Sequence, residues 1–217
     1  MHIKAILLVT NDLFNARSFY NDKLGFPVTG ITDSEISFRI GSSVLTFREV
    51  KNSTAQYHLA FSVPNNQLHE ALTWIQERAI VLPYSEDSIV ADFSNWNAKA
   101  FYFRDDDGNI LECITHYDRN VERLGSFTKD SFEYIMEIGI PVDDVTIACE
   151  NFYKQYNIPY FKKGPRLKDF AVMGDEDGML IVTKSGRGWL PTQEPSGKYP
   201  MKILLEIGTK EIVITQN

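Results

Sequence analysis

Glu112 is the residue whose setting most needs a chemical explanation. It lies in the run Ile110 to His116, where Ile110, Glu112 and Ile114 share one face of an otherwise apolar strand. A carboxylate among apolar neighbours is costly unless something positive meets it. The sequence offers three such partners: a metal ion, a protonated His58, or Lys4. His58 lies at the start of the strand Tyr57 to Val63; its bland reading is a histidine bonded to a neighbour, and its chemical reading is a partner for Glu112. Lys4 sits in the apolar strand Ile3 to Val9, where alternation gives it the face of Ile6 and Leu8. An ammonium there would take the charge role of a metal. Trp96 and the run Phe101-Tyr102-Phe103 supply aromatic surface, with Trp96 and Tyr102 as candidate walls of a pocket for an aromatic or apolar ligand. Cys113 alternates away from Glu112, and Cys149 lies on a helix. Neither has a basic neighbour in sequence, so both read as buried and inert. Gly186-Arg187-Gly188-Trp189 lacks the Lys-Ser/Thr ending of a phosphate loop and reads as a loop packed down by its Trp.

The elements that must position these residues repeat. Strand Ile3 to Val9 leads through Asn11 or Asp12, either a helix cap, into Leu13, Ala16, Phe19, Tyr20 and Leu24 at helical spacing, ended by Gly25. Ile36, Phe38 and Ile40 alternate along a strand, and Val44 to Val50 returns from the turn Gly41-Ser42-Ser43. The pattern starts again at Tyr57, with His58 to Val63 matching Lys4 to Val9 at an offset of 54 residues. A helix carries Leu68, Ala71, Leu72 and Ile75 on one face, and Asp105-Asp106-Asp107-Gly108-Asn109 marks a hairpin. After a polar stretch, Tyr117 to Ser131, the strand–helix start appears a third time, CENFYKQY matching ARSFYNDKLGF at an offset of 133. A second Asp-Gly hairpin, a loop rich in Gly and Pro, and a last hairpin at Gly208-Thr209 follow. The expected organisation is a two-module domain over 1–118 and a third, elaborated unit over 132–217.

Composition limits the function classes. The 217 residues are 43% hydrophobic and 24% charged, ordinary usage for a globular chain. A net charge of −7 with no basic cluster disfavours nucleic acid as a partner. No apolar run reaches the roughly 18–20 residues that cross a bilayer, and no signal-peptide pattern opens the chain, so the expected location is the cytoplasm. Two cysteines exclude a disulfide scaffold.

The stretch VTNDLFNARSFYNDKLGF, with YHLAFSV and FYFRDDDGNILECI in the second module, resembles the vicinal oxygen chelate superfamily of glyoxalases, bleomycin-resistance proteins and extradiol dioxygenases. The likeness covers residues 3 to about 116 well and 134 to about 184 loosely. It implies an α+β fold of paired βαβββ modules curled round a cleft, here with a third related unit. It also implies a divalent metal (Fe, Mn, Ni or Zn) held by the first and last strands of paired modules. His58 and Glu112 fall on two of those ligand positions, and Glu112 doubles as a candidate base. The matching positions of the first module hold Lys4 and Val44 or Leu45, which cannot ligate. The ligand set expected from pairing the first two modules is therefore incomplete.

Two functional readings follow from the resemblance. One is a small-molecule enzyme with metal-dependent lyase, isomerase or dioxygenase chemistry, in which Lys4, Trp96 and Tyr102 contact the substrate. The other is a metal-free binding or sequestering protein of the bleomycin-resistance type, with no cofactor. The odd third unit leaves an apolar sheet face to cover. Docking on the first two modules would cover it, and so would pairing with a second copy as a homodimer, the favoured expectation. In that dimer Glu137 would stand in an intermolecular pseudo-site without a His.

Overall fold

A computed structural model describes residues 1–217. The first module runs β1 (His2–Thr10), α1 (Leu13–Ala16), β2 (Val28–Ile31), β3 (Glu35–Ile40) and β4 (Ser43–Glu49), with α1 continuing as a π-helical stretch over Arg17–Lys23. The second runs β5 (His58–Ser62), α2 (Leu68–Gln76), β6 (Val81–Leu82), β7 (Val90–Phe93), β8 (Ala98–Arg104) and β9 (Ile110–His116). The third has β10 (Tyr134–Val142), α3 (Val145–Tyr156), β11 (Phe170–Asp175) and β12 (Gly178–Lys184), and the chain closes with β13 (Met201–Ile207) and β14 (Lys210–Gln216). The expected α+β modules are thus present. Asp12 caps α1 through the Phe14 amide, 2.8 Å away. No helix is long and apolar enough to cross a membrane.

The modules do not pair as expected. One sheet has the order β14-β13-β1-β4-β3-β2, and the other β11-β12-β10-β5-β9-β8-β6 with β7 on β8. The second module therefore shares its sheet with the third, through antiparallel β5 and β10. The first module takes the C-terminal hairpin instead, β13 lying antiparallel to β1. Both pairings cross the boundary expected near residue 118. They also correct the expected self-pairing of the third unit in a homodimer, because β5 of the same chain already occupies the free edge of β10.

Between the sheets lies one large core, with Phe38 and Phe47 from the first module, Phe61, Phe101 and Phe103 from the second, and Ile138 and Leu180 from the third. Alternation then decides what reaches the other face of the second sheet. Phe101, Phe103, Leu111 and Cys113 point into this core, so Tyr102, Ile110 and Glu112 point away from it. Cys113 faces the helix side, as the alternation predicted.

Polar contacts lock the two sheets together. The β8–β9 turn grips the first helix: Tyr20 Oη donates to Asp105 Oδ2 at 2.8 Å, Asn15 donates to Asp107 at 3.0 Å, and Lys23 pairs with Asp106 at 2.6 Å. Ser43 Oγ donates to the Ile3 carbonyl at 2.6 Å and accepts from the Ile135 amide at 3.0 Å, joining first and third modules. Burial raises the Asp105 carboxyl to about 6, against the pull of the Asn109 and Tyr20 hydrogen bonds. Its folded value lies above its unfolded one, so its ionisation costs stability as pH rises from about 4 to 6. Tyr20→Phe removes a donor that favours the ionised form. The expected loss is about 1–3 kcal/mol at pH 7.5, shrinking at pH 5, where Asp105 is protonated. Urea unfolding at the two pH values measures it, and an equal loss at both would contradict this reading.

Candidate metal centre

The antiparallel register of β5 and β10 builds the site. Ala60 lies opposite Glu137 and Leu59 opposite Ile138, which brings His58 beside Gly139: a Cβ on that glycine would stand 3.3 Å from the His58 Cβ. On the other side of β5, parallel β9 places Glu112 level with Ala60. His58, Glu112 and Glu137 are all buried, and one ligand atom from each lies within 4.8 Å of the others.

The protonation pattern suits a cation. His58 Nδ1 lies 3.2 Å from the Ile110 carbonyl, a geometry in which Nδ1–H donates and Nε2 keeps its lone pair. Nε2 faces Glu112 Oε2 at 3.5 Å. Burial lowers His58 to about 4, so the imidazole is neutral and the contact is not an ion pair. Burial also pushes Glu112 well above the carboxylate range, the charge of Glu137 adds to this, and the Tyr102 hydroxyl opposes it. Glu137 is raised by burial to about 8. Its Oε1 is buried without any hydrogen-bond partner. Buried polar atoms without partners are rare and ask for an explanation. Three side chains able to donate an electron pair converge here, and a divalent ion fits that set.

Register also shows what the site lacks. His58 pairs with Ile110, and Glu112 lies two residues further along β9. Glu137 pairs with Met179, and Ile181 lies two residues further along β12. The two halves of the cleft thus offer four equivalent positions, of which His58, Glu112 and Glu137 carry ligand atoms and Ile181 does not.

A cavity of about 220 Å³ opens above these residues, and Trp96 and Tyr102 are among those that line it. The loop after β12 closes one side. Trp189 lies 5.1 Å from the His58 ring, between centroids, and packs onto Gly139, where an added Cβ would come within 2.6 Å of the indole. The Trp does pack its loop onto the sheet, but it does so as a wall of the cleft. Arg104 holds the loop from the β8–β9 hairpin, pairing with Glu194 at 2.6 Å.

Lys4 lies elsewhere, and the expectation that it meets Glu112, His58 or the substrate in this cleft is corrected. It belongs to the other sheet, is 38% exposed, and pairs with Glu206 at 3.7 Å. The physical reason is a β-bulge. Ile3 faces Leu205 and Ala5 faces Leu204, so Lys4 is the extra residue and leaves the alternation. Met136 is the matching extra residue in β10, between Ile135 and Glu137.

Glu137 is where the sequence expectation changes most. It was expected in a cleft formed between two chains, and it stands with His58 and Glu112 in one. The available signal was the one that singled out Glu112, a carboxylate inside an apolar strand. Nothing in the local pattern of the 185–200 loop pointed to Trp189 as a wall beside His58.

The model of the Glyoxalase/Bleomycin resistance protein/Dioxygenase superfamily matches residues 2–113, more than half of the chain. The chain belongs to this superfamily. The match runs through the first two modules, whereas the superfamily member described here builds its candidate site from the second and third. Among solved structures it is similar to a Bacillus subtilis protein whose description offers dioxygenase as a provisional name, with a TM-score of 0.64 and 14% identity over 91% of this chain and 67% of that one. It is also similar to a point variant of glyoxalase I from Zea mays, with a TM-score of 0.53 and 15% identity over 84% of this chain and 67% of that one. At such identities these likenesses show the fold. No curated protein matches the chain in sequence.

Three substitutions separate the positions. Lys4→His should leave affinity for Mn(II) within about twofold, because its sheet does not reach the cleft. Glu137→Gln should weaken it by more than about tenfold, a scale that even losses beyond the direct ligands attain. Ile181→His should strengthen it by adding a fourth donor. Calorimetric titration of the three variants reads this, and a gain at Lys4→His without a loss at Glu137→Gln would contradict the assignment.

Proposed function

We propose that the cleft between the second and third modules is a metal-dependent active site for a small molecule with two adjacent oxygen atoms. His58, Glu112 and Glu137 hold one divalent ion. The observation that carries this reading is the convergence of a ligand atom from each of three buried side chains within 4.8 Å, together with a Glu137 Oε1 that has no hydrogen-bond partner. Two carboxylates and one imidazole suit iron(II) or manganese(II) among the candidate metals. Such an ion supplies Lewis acidity toward the oxygens of a bound ligand.

The chain's own residues then have distinct tasks. The Ile110 carbonyl fixes the His58 tautomer so that Nε2 is the ligand atom. Tyr102, its hydroxyl held protonated by burial and by the neighbouring Glu112, offers a proton donor beside the carboxylate. Glu112, with its raised proton affinity, is the group we assign as base for a proton on the ligand. Trp96 and Trp189 exclude water from two sides. Lewis-acid polarisation of this kind is compatible with lyase, isomerase or dioxygenase chemistry. The metal-free binding alternative leaves Glu137 Oε1 unexplained.

Metal binding should depend on pH with a definite sign. Each carboxyl must lose its proton to ligate, and both are raised by burial. Affinity should therefore rise with pH between 6 and 8, by roughly one log unit per pH unit for each proton displaced. Manganese titrations in buffers of different ionisation enthalpy count those protons. A protein that binds no divalent metal stoichiometrically at pH 8, or binds it independently of pH, contradicts the proposal.

A further inference from the structure

The cleft carries one permanent cation, and no part of the metal centre uses it. Arg187 lies in the loop after β12, two residues before Trp189, and lines the cavity that holds His58, Glu112 and Glu137. The other walls are apolar or aromatic, Phe93, Trp96, Tyr102, Phe170 and Trp189 among them. Arg187 is the only arginine or lysine among the residues that line this cavity.

The guanidinium is held ready. Its Cζ lies 4.6 Å over the Phe170 ring. Its Nε is 3.4 Å from Asp169 Oδ2, and one terminal nitrogen reaches the Gly188 carbonyl at 3.5 Å. Both contacts are long, and the second terminal nitrogen has no partner. The side chain is 34% exposed, which places it at the mouth. A planar guanidinium stacked on an aromatic face, with donors to spare, is suited to a carboxylate or other oxyanion. The loop that carries it is fixed to the opposite wall by Arg104 and Glu194.

We infer that Arg187 is a specificity residue that binds an anionic group on the ligand, so that the cleft selects a flat aromatic or apolar molecule bearing an oxyanion away from its metal-facing end. The inference rests on the proposed function only in taking this cleft as the ligand site. It does not need the metal.

Two probes with the same ring system test it: 2-naphthoate and the uncharged 2-naphthylmethanol, titrated calorimetrically into the full-length protein with and without Mn(II). The wild type should bind the carboxylate at least about fivefold more tightly, the scale of one half-exposed ion pair. Arg187→Gln should abolish that preference while leaving affinities for the alcohol and for Mn(II) within about twofold. Arg187→Lys should restore part of it. Equal binding of both probes by the wild type, binding of neither, or a preference that survives Arg187→Gln overturns the inference and leaves the metal reading standing. A carboxylate preference lost in Arg187→Gln, in a protein that binds no metal, supports the inference and ends the metal reading.

Discussion

The site exists because of how β5 and β10 run past each other. With Ala60 opposite Glu137, the first strands of two modules place an imidazole and a carboxylate close together on one face of a continuous sheet. The bulge at Met136 sets that phase, since without the extra residue the side chains of β10 would alternate to the other face. Gly139 completes the arrangement. Lying beside His58 with no side chain of its own, it leaves the space that the Trp189 indole fills.

The resulting cavity works against itself unless something enters it. Placing one imidazole and two carboxyls out of water is costly, and the raised carboxyls and lowered histidine express that cost. The fold tolerates it because the surrounding structure is rigid: β5 and β9 are buried along their whole length, on one face by the core between the sheets and on the other by the cleft and the elements around it. The same rigidity reaches the walls. Trp189 is seated on Gly139, and its loop is tied by Arg104 to the hairpin that follows β8. The cleft is thus preformed around a buried set of ligand atoms.

Much of this was legible from residue types and spacing. The repeated strands, the Asp-Gly hairpins, the inward turn of Cys113 and the outward turn of Glu112 all follow from local pattern, and local pattern is what fixes them. Which module pairs with which is a different kind of information. Every module offers a similar first strand, so the choice rests on long-range contacts such as Ser43 with Ile3 and Ile135, or Tyr20 with Asp105, which no periodicity reports. Lys4 shows the consequence. A bulge moves it out of phase, and aligning it with Glu137 instead of Met136 is an error of one residue. Arg187 was equally hidden, because a glycine-flanked arginine in a long loop takes its meaning from the wall it joins.

The central claim is that His58, Glu112 and Glu137, drawn from two modules of one chain, share a single metal ion. Anomalous X-ray scattering from crystals of the protein soaked in manganese tests it most directly. The account predicts one strong manganese peak within bonding distance of His58 Nε2 and of a carboxylate oxygen from each glutamate. A peak bonded to His58 and Glu112 but remote from Glu137, or full manganese occupancy only at other sites, would contradict it.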